Sequence, residues 1–540
     1  MASVLACLTL NIRRSAGQSI IEGLAEGTVE MEELEASEIE LLEDLRAHPI
    51  RINAASKSRL AECGLFSAFQ VASITDYLSR SGDILSYSEL SALDGFSTNF
   101  VSAIKPFIDL SSKSPPGQSP RAHRSRVWLT VQGSGKKETD SSAEAGYGIK
   151  GGYELENVFA VNGGLRNGEW AASGTLYTRT HLDKLVVGDF NARFGQGLTM
   201  WSGFSMSGFS SCSSFSKKGT GISASKSYTG SYSLRGAAAQ FGWGRTSLSC
   251  FGAISGLAGA DVRWVGRKCS LGATGCLSKD YSRAGAYADI SAGKCDFWTE
   301  AAYDFTSRLP AALAGMRWNI AYGKSLSLLM RWYPSNLTSG YSGAARASSK
   351  TSGEAGIAVG FSSSAFSITL DAAQLLTKGY SQIKSTAIWS HTFSESTVSR
   401  LRCALRYRHA EPLPLKTDVR ADVLHDIGQW HVNARINYLR CKGNAGLAYV
   451  ECGFTPGKLR LWMRMTGFWV DNWDDRIYSY ERDAPGNFNV PAFYGKGISA
   501  SLYAGFKFRR SSLYARASLT RYFITKPGKI DLRIQYSLKL

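Results

Sequence analysis

The chain contains no apolar run long enough for a membrane-spanning helix, which needs about 20 such residues in a row. Helices therefore do not carry it across a bilayer. Histidine is scarce at seven residues, and neither G-x-S-x-G nor H-E-x-x-H occurs. His181, His391, His409, His425 and His431 fall on or near extended segments, with no Ser or Asp partner recognisable in the sequence. No enzyme chemistry and no cofactor is expected. None of the ten cysteines forms C-x-x-C, and no His stands at ligand spacing from a pair, so no zinc site is expected. Cys403 and Cys452 fall on the apolar side of alternating segments, where they act as small hydrophobes. Proline, at 13, is too sparse for low-complexity disorder.

What is present is glycine (55 residues), aromatic side chains and an excess of positive charge, +18. A basic chain suits anionic partners: nucleic acid, lipid headgroups or acidic glycan. The charge is unevenly spread. Residues 21–110 carry 16 acidic and 6 basic residues, net −10. Residues 111–540 carry 54 basic and 28 acidic residues, net +26. The joint, "SSKSPPGQSPRAHRS" at 111–125, reads as a linker, and every Trp lies beyond it. The stretch 1–20 reads as the remnant of a signal peptide whose start lies upstream, or as a disordered tail.

The acidic head is helical in pattern. Leu34, Ile39, Leu41, Leu42 and Leu45 form a helix-period stripe that Pro49 ends. Asn53 and Ser56 offer N-caps for a helix through Leu60. Further helices are predicted over about 68–80, from about 88, and over about 98–107. The stretch "INAASKSRL…VASITDYLSRSGDILSYSELSALDGF" resembles the helix-hairpin-helix module of competence-type DNA receptors. Ile52, Asn53, Ala55 and Leu60 match its opening; Tyr77, Gly82, Leu85, Ser86, Glu89 and Leu90 match its middle. In such modules, hairpin glycines let backbone N–H groups approach a phosphate. Here the first hairpin keeps Gly64 but has Leu65 and Ser67 where glycines stand in the module. The second reads Gly95-Phe96-Ser97 and keeps one glycine. A net charge of −10 also removes the electrostatic attraction that dominates DNA affinity. The head is expected to dock a protein partner rather than bind nucleic acid.

Beyond the linker the period becomes two. In "DLRIQYSLKL", Leu532, Ile534, Tyr536, Leu538 and Leu540 face one way, and Asp531, Arg533, Gln535, Ser537 and Lys539 the other. "ISASLYAGFKF", "LYARASL" and "LRLWMRM" alternate likewise, joined by short turns such as "RRSS" and Thr455-Pro456-Gly457. Strands of about 9–12 residues, apolar on one face, match tilted transmembrane β-strands. Closure into a barrel removes the unpaired edge such strands would otherwise expose. The expected fold is α + β in separate domains: a small all-α helix-hairpin-helix domain over 21–110, a linker over 111–125 and a large antiparallel transmembrane β-barrel over 126–540. About 20–24 strands are expected, in even number. Trp430, Tyr438, Trp469 and Tyr522 near strand ends suit interfacial girdles.

The segments "VVGDFNARFGQGLTMWSGFS", "LRCALRYRH" and "RIYSYERDAPGNFNVPAFYGKG" resemble Bacteroidota outer-membrane proteins that carry an N-terminal helix-hairpin-helix module. That resemblance implies an outer-membrane barrel with the head in the periplasm, and brings no activity with it. Alternation puts Arg400, Arg402, Arg406, Arg408, Arg435, Arg460, Arg464, Lys507, Arg516 and Arg533 on the lumen side. Arginine suits phosphate and carboxylate, which points to an anion-lined conduit or polymer groove. The alternative is a lumen filled by arginines paired with Asp and Glu. "GDFNARFGQGLTMW" is read as a tight turn at Gly195 and Gly197, since no Gly-Lys-Ser/Thr and no helix follows. Residues 202–231 read as a long, Ser- and Gly-rich loop folded inward. Asp471, Asp474, Asp475, Glu481 and Asp483 fit no EF-hand spacing and read as a solvated loop.

The expected function is transport or assembly of an anionic polymer, DNA or glycan, at the outer membrane, or docking of a periplasmic protein. Outer-membrane lipid is the surrounding partner. The charge split predicts an acidic head held electrostatically against a basic lumen. A DNA-uptake channel and a structural scaffold with a filled lumen are the alternatives.

Overall fold

The computed structural model describes residues 42–112 and 124–540, except positions 43, 47, 97, 139–141, 179, 204, 206, 322, 410–414, 488 and 524–526. The stretch 1–20, most of the first expected helix, most of the linker and Ser97 lie outside the described residues.

Period-two alternation becomes a closed wall. Twenty-four antiparallel strands pair in sequence order, and the last, Lys529–Lys539, pairs with the first, Ser125–Glu138. The outer face is apolar because alternate residues are exposed hydrophobics: Leu401, Leu405 and Tyr407 on one strand, Leu461, Met463 and Met465 on another. In water such a surface would be untenable; in lipid it is the solvated face. Trp430, Tyr438 and Trp469 sit on it as expected. Tyr522 does not. It turns inward against Phe468, 5.8 Å between ring centroids, because its position has lumen parity.

At one end, where Ser125 begins and Leu540 finishes, the connections are short. Gly457 (φ +56°) makes one such turn, closed by Leu459 N–H to Pro456 C=O at 3.0 Å. The opposite end carries three long connections, 194–233, 334–353 and 471–494. All three fold into the lumen. Leu198, Phe209 and Phe215 from the first, and Leu337 and Ala344 from the second, pack against Trp298, Leu313 and Leu329 of the wall. The third covers Leu447, Tyr449 and Phe468 through Ile477. The expected inward fold of 202–231 is thus present.

The head packs on the short-turn end. Its helices are α1 (Lys57–Glu62), α2 (Ala68–Arg80), α3 (Tyr87–Ser91) and α4 (Thr98–Ile104), the last continued by a 3₁₀ turn, Lys105–Phe107. Ser56, Ser67 and Ser86 cap the first three through their hydroxyls. Asn53 is not a cap. Its buried amide bonds Ile84 N–H, Ile84 C=O and Leu110 C=O, all at 2.8–2.9 Å, tying three segments together. Ile52, Leu60, Leu65, Ile74, Ile84, Leu90 and Ile104 form the core. The head is not purely helical, since Ile50–Arg51 and Ile108–Asp109 form a parallel pair that joins its two ends.

Candidate functional site

The two hairpins of the head are satisfied internally. Gly64 (φ +70°) and Gly95 (φ +84°) turn the chain as glycines allow. Leu65 is buried, and Phe96 lies 6.0 Å from Phe66 and 5.8 Å from Phe100 between ring centroids. Ser67 N–H donates to Gln70 Oε1 (2.9 Å) and Gln70 N–H to Ser67 Oγ (3.2 Å), a capping box on α2. Two of the amides at the start of α2, those of Ser67 and Gln70, are thereby occupied. Gln70 also donates to Gly95 C=O at 2.8 Å, locking one hairpin to the other.

The head meets the barrel through ion pairs of both polarities. Asp44 faces Arg126 (3.3 Å) and Lys226 (3.5 Å), and Glu62 faces Lys184 (3.6 Å). Arg51 and Arg59 of the head pair with Glu156 and Glu154 of the barrel. The expected picture of an acidic head on a basic lumen therefore needs correction: two of these five pairs run the other way. Burial alone would raise the Asp44 carboxyl, but Lys226, Arg126 and Lys539 hold it well below the usual carboxylate range. Burial, with Arg126 and Lys539 beside it, pushes the His48 imidazole down to about 4. Burial pushes the Cys63 thiol up to about 12.

Inside the barrel, the ten basic residues expected on the lumen side divide into three groups. Arg400, Arg402, Arg406, Arg408 and Arg435 belong to one strip on the adjoining strands Tyr380–Ser394, Thr397–Arg408, Leu415–Ile427 and Trp430–Arg440. Lys384, Lys416 and Arg420 join them at the same parity. The acids on these strands are Asp418, Asp422 and Asp426. Arg420 and Arg435 share Asp422, at 3.0 and 2.5 Å, and Arg402 lies 3.4 Å from Asp418. Lys384, Arg406 and Lys416 face one another in one row of the ladder, and Arg402 faces Arg420 in another. Like charges on facing positions repel, so the strip concentrates positive potential on this side of the lumen.

The second group, Arg464, Arg516 and Arg533, is engaged by acids of wall and inner loop. Arg464 holds Glu451 at 2.9 Å. Arg516 reaches Glu481 at 3.2 Å and Asp483 at 3.5 Å, and Arg533 also pairs with Asp483. These three arginines are paired with Asp and Glu. Arg460 and Lys507 form the third group, exposed at the head end of their strands.

The acidic loop is not simply solvated. Asp475, Glu481 and Asp483 are buried. Asp475 accepts Lys442 N–H and Gly443 N–H (3.2 and 2.7 Å), while Asp474 pairs with Lys442 Nζ at 2.6 Å. Asp474 and Asp475 meet on Lys442, and Glu481 and Asp483 on Arg516, so the acids face basic partners and not one another.

Two arrangements escaped the sequence reading. The turn at Gly195 (φ +54°) and Gly197 (φ +82°) is a nest of amides filled by a carboxylate of the same chain. Glu300 accepts Gln196 N–H (2.7 Å), Leu198 N–H (3.1 Å) and Thr199 N–H (2.8 Å). His431 does have partners: Asp426 on Nδ1 at 2.6 Å and Thr455 on Nε2 at 2.9 Å. Asp426 and His431 face each other across the Gly428-Gln429 turn, a clue available from the hairpin register.

No protein-family model matches the chain, and no curated protein is similar to it in sequence. Among solved structures, it is similar to the Pseudomonas aeruginosa protein OccK5 (OpdH), at 8% identity and TM-score 0.31, over 77% of this chain and 98% of that one. It is also similar to the P pilus usher (PapC) translocation pore, at 8% identity and TM-score 0.37, over 77% and 99%. The outer-membrane protein OpdK of Pseudomonas aeruginosa stands alike, at 8% and 0.31, over 77% and 99%. Likeness this shallow says nothing of cargo.

Proposed function

We propose that this protein is an outer-membrane channel for anionic cargo, with its head at the periplasmic mouth. The observation that carries the reading is the strip of eight lumen-facing cations, Lys384 to Arg435, against three acids on four adjoining strands. A strip of one sign raises the local concentration of anions. A route lined this way selects by charge. The head, though similar in sequence to helix-hairpin-helix modules, acts in docking: the start of α2 at its first hairpin is closed by the Ser67–Gln70 capping box, which argues against the DNA-uptake alternative.

The test is the reversal potential of the purified protein in a planar bilayer under a KCl gradient. Anion selectivity is expected, moving toward cations in the variant R402E/R406E. A cation-selective wild type would overturn the reading. A bilayer holding the protein but passing no current under any condition would favour the scaffold, which the three inward loops also support.

A further inference from the structure

The strand Leu182–Arg193 does two things. Its first half belongs to the wall, paired with Glu169–Tyr177 and Leu234–Trp243. At Gly188 (φ +97°) it parts from Glu169–Tyr177, its pairing with Leu234–Trp243 runs on to Phe190, and Phe190–Arg193 pair inside the lumen with Gly221–Ala224. That inner pair is the root of the first inward loop.

The head grips this root directly. Helix α1 packs on Gly221–Ala224. Lys184, on the wall half, is fully buried, and its ammonium donates to Ile222 C=O of the inner strand. Its acidic partner is Glu62, the last residue of α1, at 3.6 Å. Glu62 also accepts the Tyr177 hydroxyl at 3.1 Å. Two residues past the inner strand, Lys226 pairs with Asp44 of the head. A buried ammonium needs its counter-charge, and here the carboxylate comes from the head. With the head removed, Lys184 keeps a carbonyl and loses its carboxylate, while Lys226 loses its nearest acid. Seating of the head and seating of the inner strand are therefore linked through the same two lysines.

We propose that the head is a latch for the inner plug: lifting it from the barrel unseats residues 221–226 and loosens the loop 194–233 that fills this side of the lumen. This rests on the channel reading only for its consequence, opening. The linkage itself is independent of what passes. The input is then a periplasmic protein that binds the head and pulls it from the mouth.

The experiment uses the full chain in outer-membrane vesicles. Ser225→Cys places a reporter thiol in the buried root, and its modification by a charged maleimide is read by peptide mass spectrometry. Head position is read separately, as trypsin cleavage at Lys57 and Arg59. The variant D44N/E62Q is expected to expose both head sites and to speed labelling at residue 225 at least ten-fold. In K57C/R245C, a short thiol cross-linker fastens the head to the rim near Gly244, whose carbonyl Lys57 reaches at 3.0 Å. That bridge, added to the D44N/E62Q variant, is expected to restore protection of residue 225. A head that is cleaved while residue 225 stays protected overturns the proposal, and so does a head that stays docked in D44N/E62Q. Exposure of residue 225 without conductance would leave the latch standing and remove the channel; conductance with residue 225 protected would do the reverse.

Discussion

Glu300, on the wall strand Cys295–Asp304, accepts both the backbone N–H and the hydroxyl of Thr199, at 2.8 and 2.7 Å. Its other oxygen takes Gln196 and Leu198 N–H. One wall carboxylate thus satisfies a turn that would otherwise bury several donors. Glu300→Ala is expected to weaken seating of the loop 194–233 by about 2–3 kcal/mol or more, because buried donors lose their acceptor. Limited proteolysis within 194–233 and the heat-unfolding midpoint should both shift. An unchanged cleavage rate would show that the apolar packing of Phe209 and Phe215 suffices alone.

The triad of Arg331 with Glu354 and Asp371 makes a second prediction. Arg331 lies 2.7 Å from Asp371 and also pairs with Glu354, all three fully buried. Arg331→Met leaves two buried carboxylates facing each other and is expected to cost about 3–5 kcal/mol. The triple variant R331M/E354Q/D371N should recover much of that loss, although Glu354 also accepts Ala347 and Ser348 N–H from the second inward loop. Unfolding of the two variants by urea separates the cases: equal loss would mean that charge is not the issue.

The barrel was legible because lipid on one side and lumen on the other impose period two on every strand. Leu461 and Arg464 reveal their faces by parity alone. The head was legible where local rules act, as at Ser56, whose capping depends on a residue three positions away; Ser67 and Ser86 cap by the same rule but do not stand out in the sequence, one lying in a hairpin and the other in a motif. What parity cannot say is what fills the lumen. Arg516 and Arg402 look alike in sequence, yet one meets Glu481 and Asp483 from a folded loop and the other belongs to the cationic strip. Asp475 looked solvated because an acidic loop usually is; its burial depends on Gly443 and Lys442, more than thirty positions away. Contacts between distant segments leave no periodic trace. The Glu300 nest is another such case, joining positions about a hundred residues apart.

Attachment of the head should depend on pH through His48. Burial, then Arg126 and Lys539, depress its proton affinity, with Asp44 and Glu154 pulling the other way, and the docked value is about 4. Released, it returns toward about 6.5. Between these values the free head binds a proton that the docked head refuses, so docking weakens as pH falls from about 6.5 toward about 4 and is flat above. Asp44 stays ionised across this window, since its own affinity lies lower still. Trypsin protection of Lys57 and Arg59 is expected to drop between about pH 7.5 and pH 5, and the drop should shrink in His48→Gln. Identical pH curves for the two proteins would remove His48 as the cause.

The inward bend of Leu182–Arg193 depends on one missing side chain. At Gly188 a Cβ would lie 2.2 Å from the Ala172 carbonyl oxygen of the neighbouring strand, and φ is +97°. Gly188→Ala faces both a clash with backbone, which cannot move aside, and a dihedral that L-residues avoid. The expected result is a strand that stays in the wall, no pairing with Gly221–Ala224, and an inner loop without its root. Gly174, on the adjacent strand, is the matched control. Nothing lies within 4 Å of a Cβ there, so Gly174→Ala should be neutral or stabilising by about 0.5–1 kcal/mol. Heat-modified gel mobility and outer-membrane yield report the wall; proteolysis within 194–233 reports the loop. Loss of the loop signal with the wall intact in Gly188→Ala alone is the expected pattern. Equal behaviour of the two variants would mean that the bend is held by Asp189, which bonds Ala172 N–H at 2.8 Å and Arg235 at 3.0 Å, and not by the glycine.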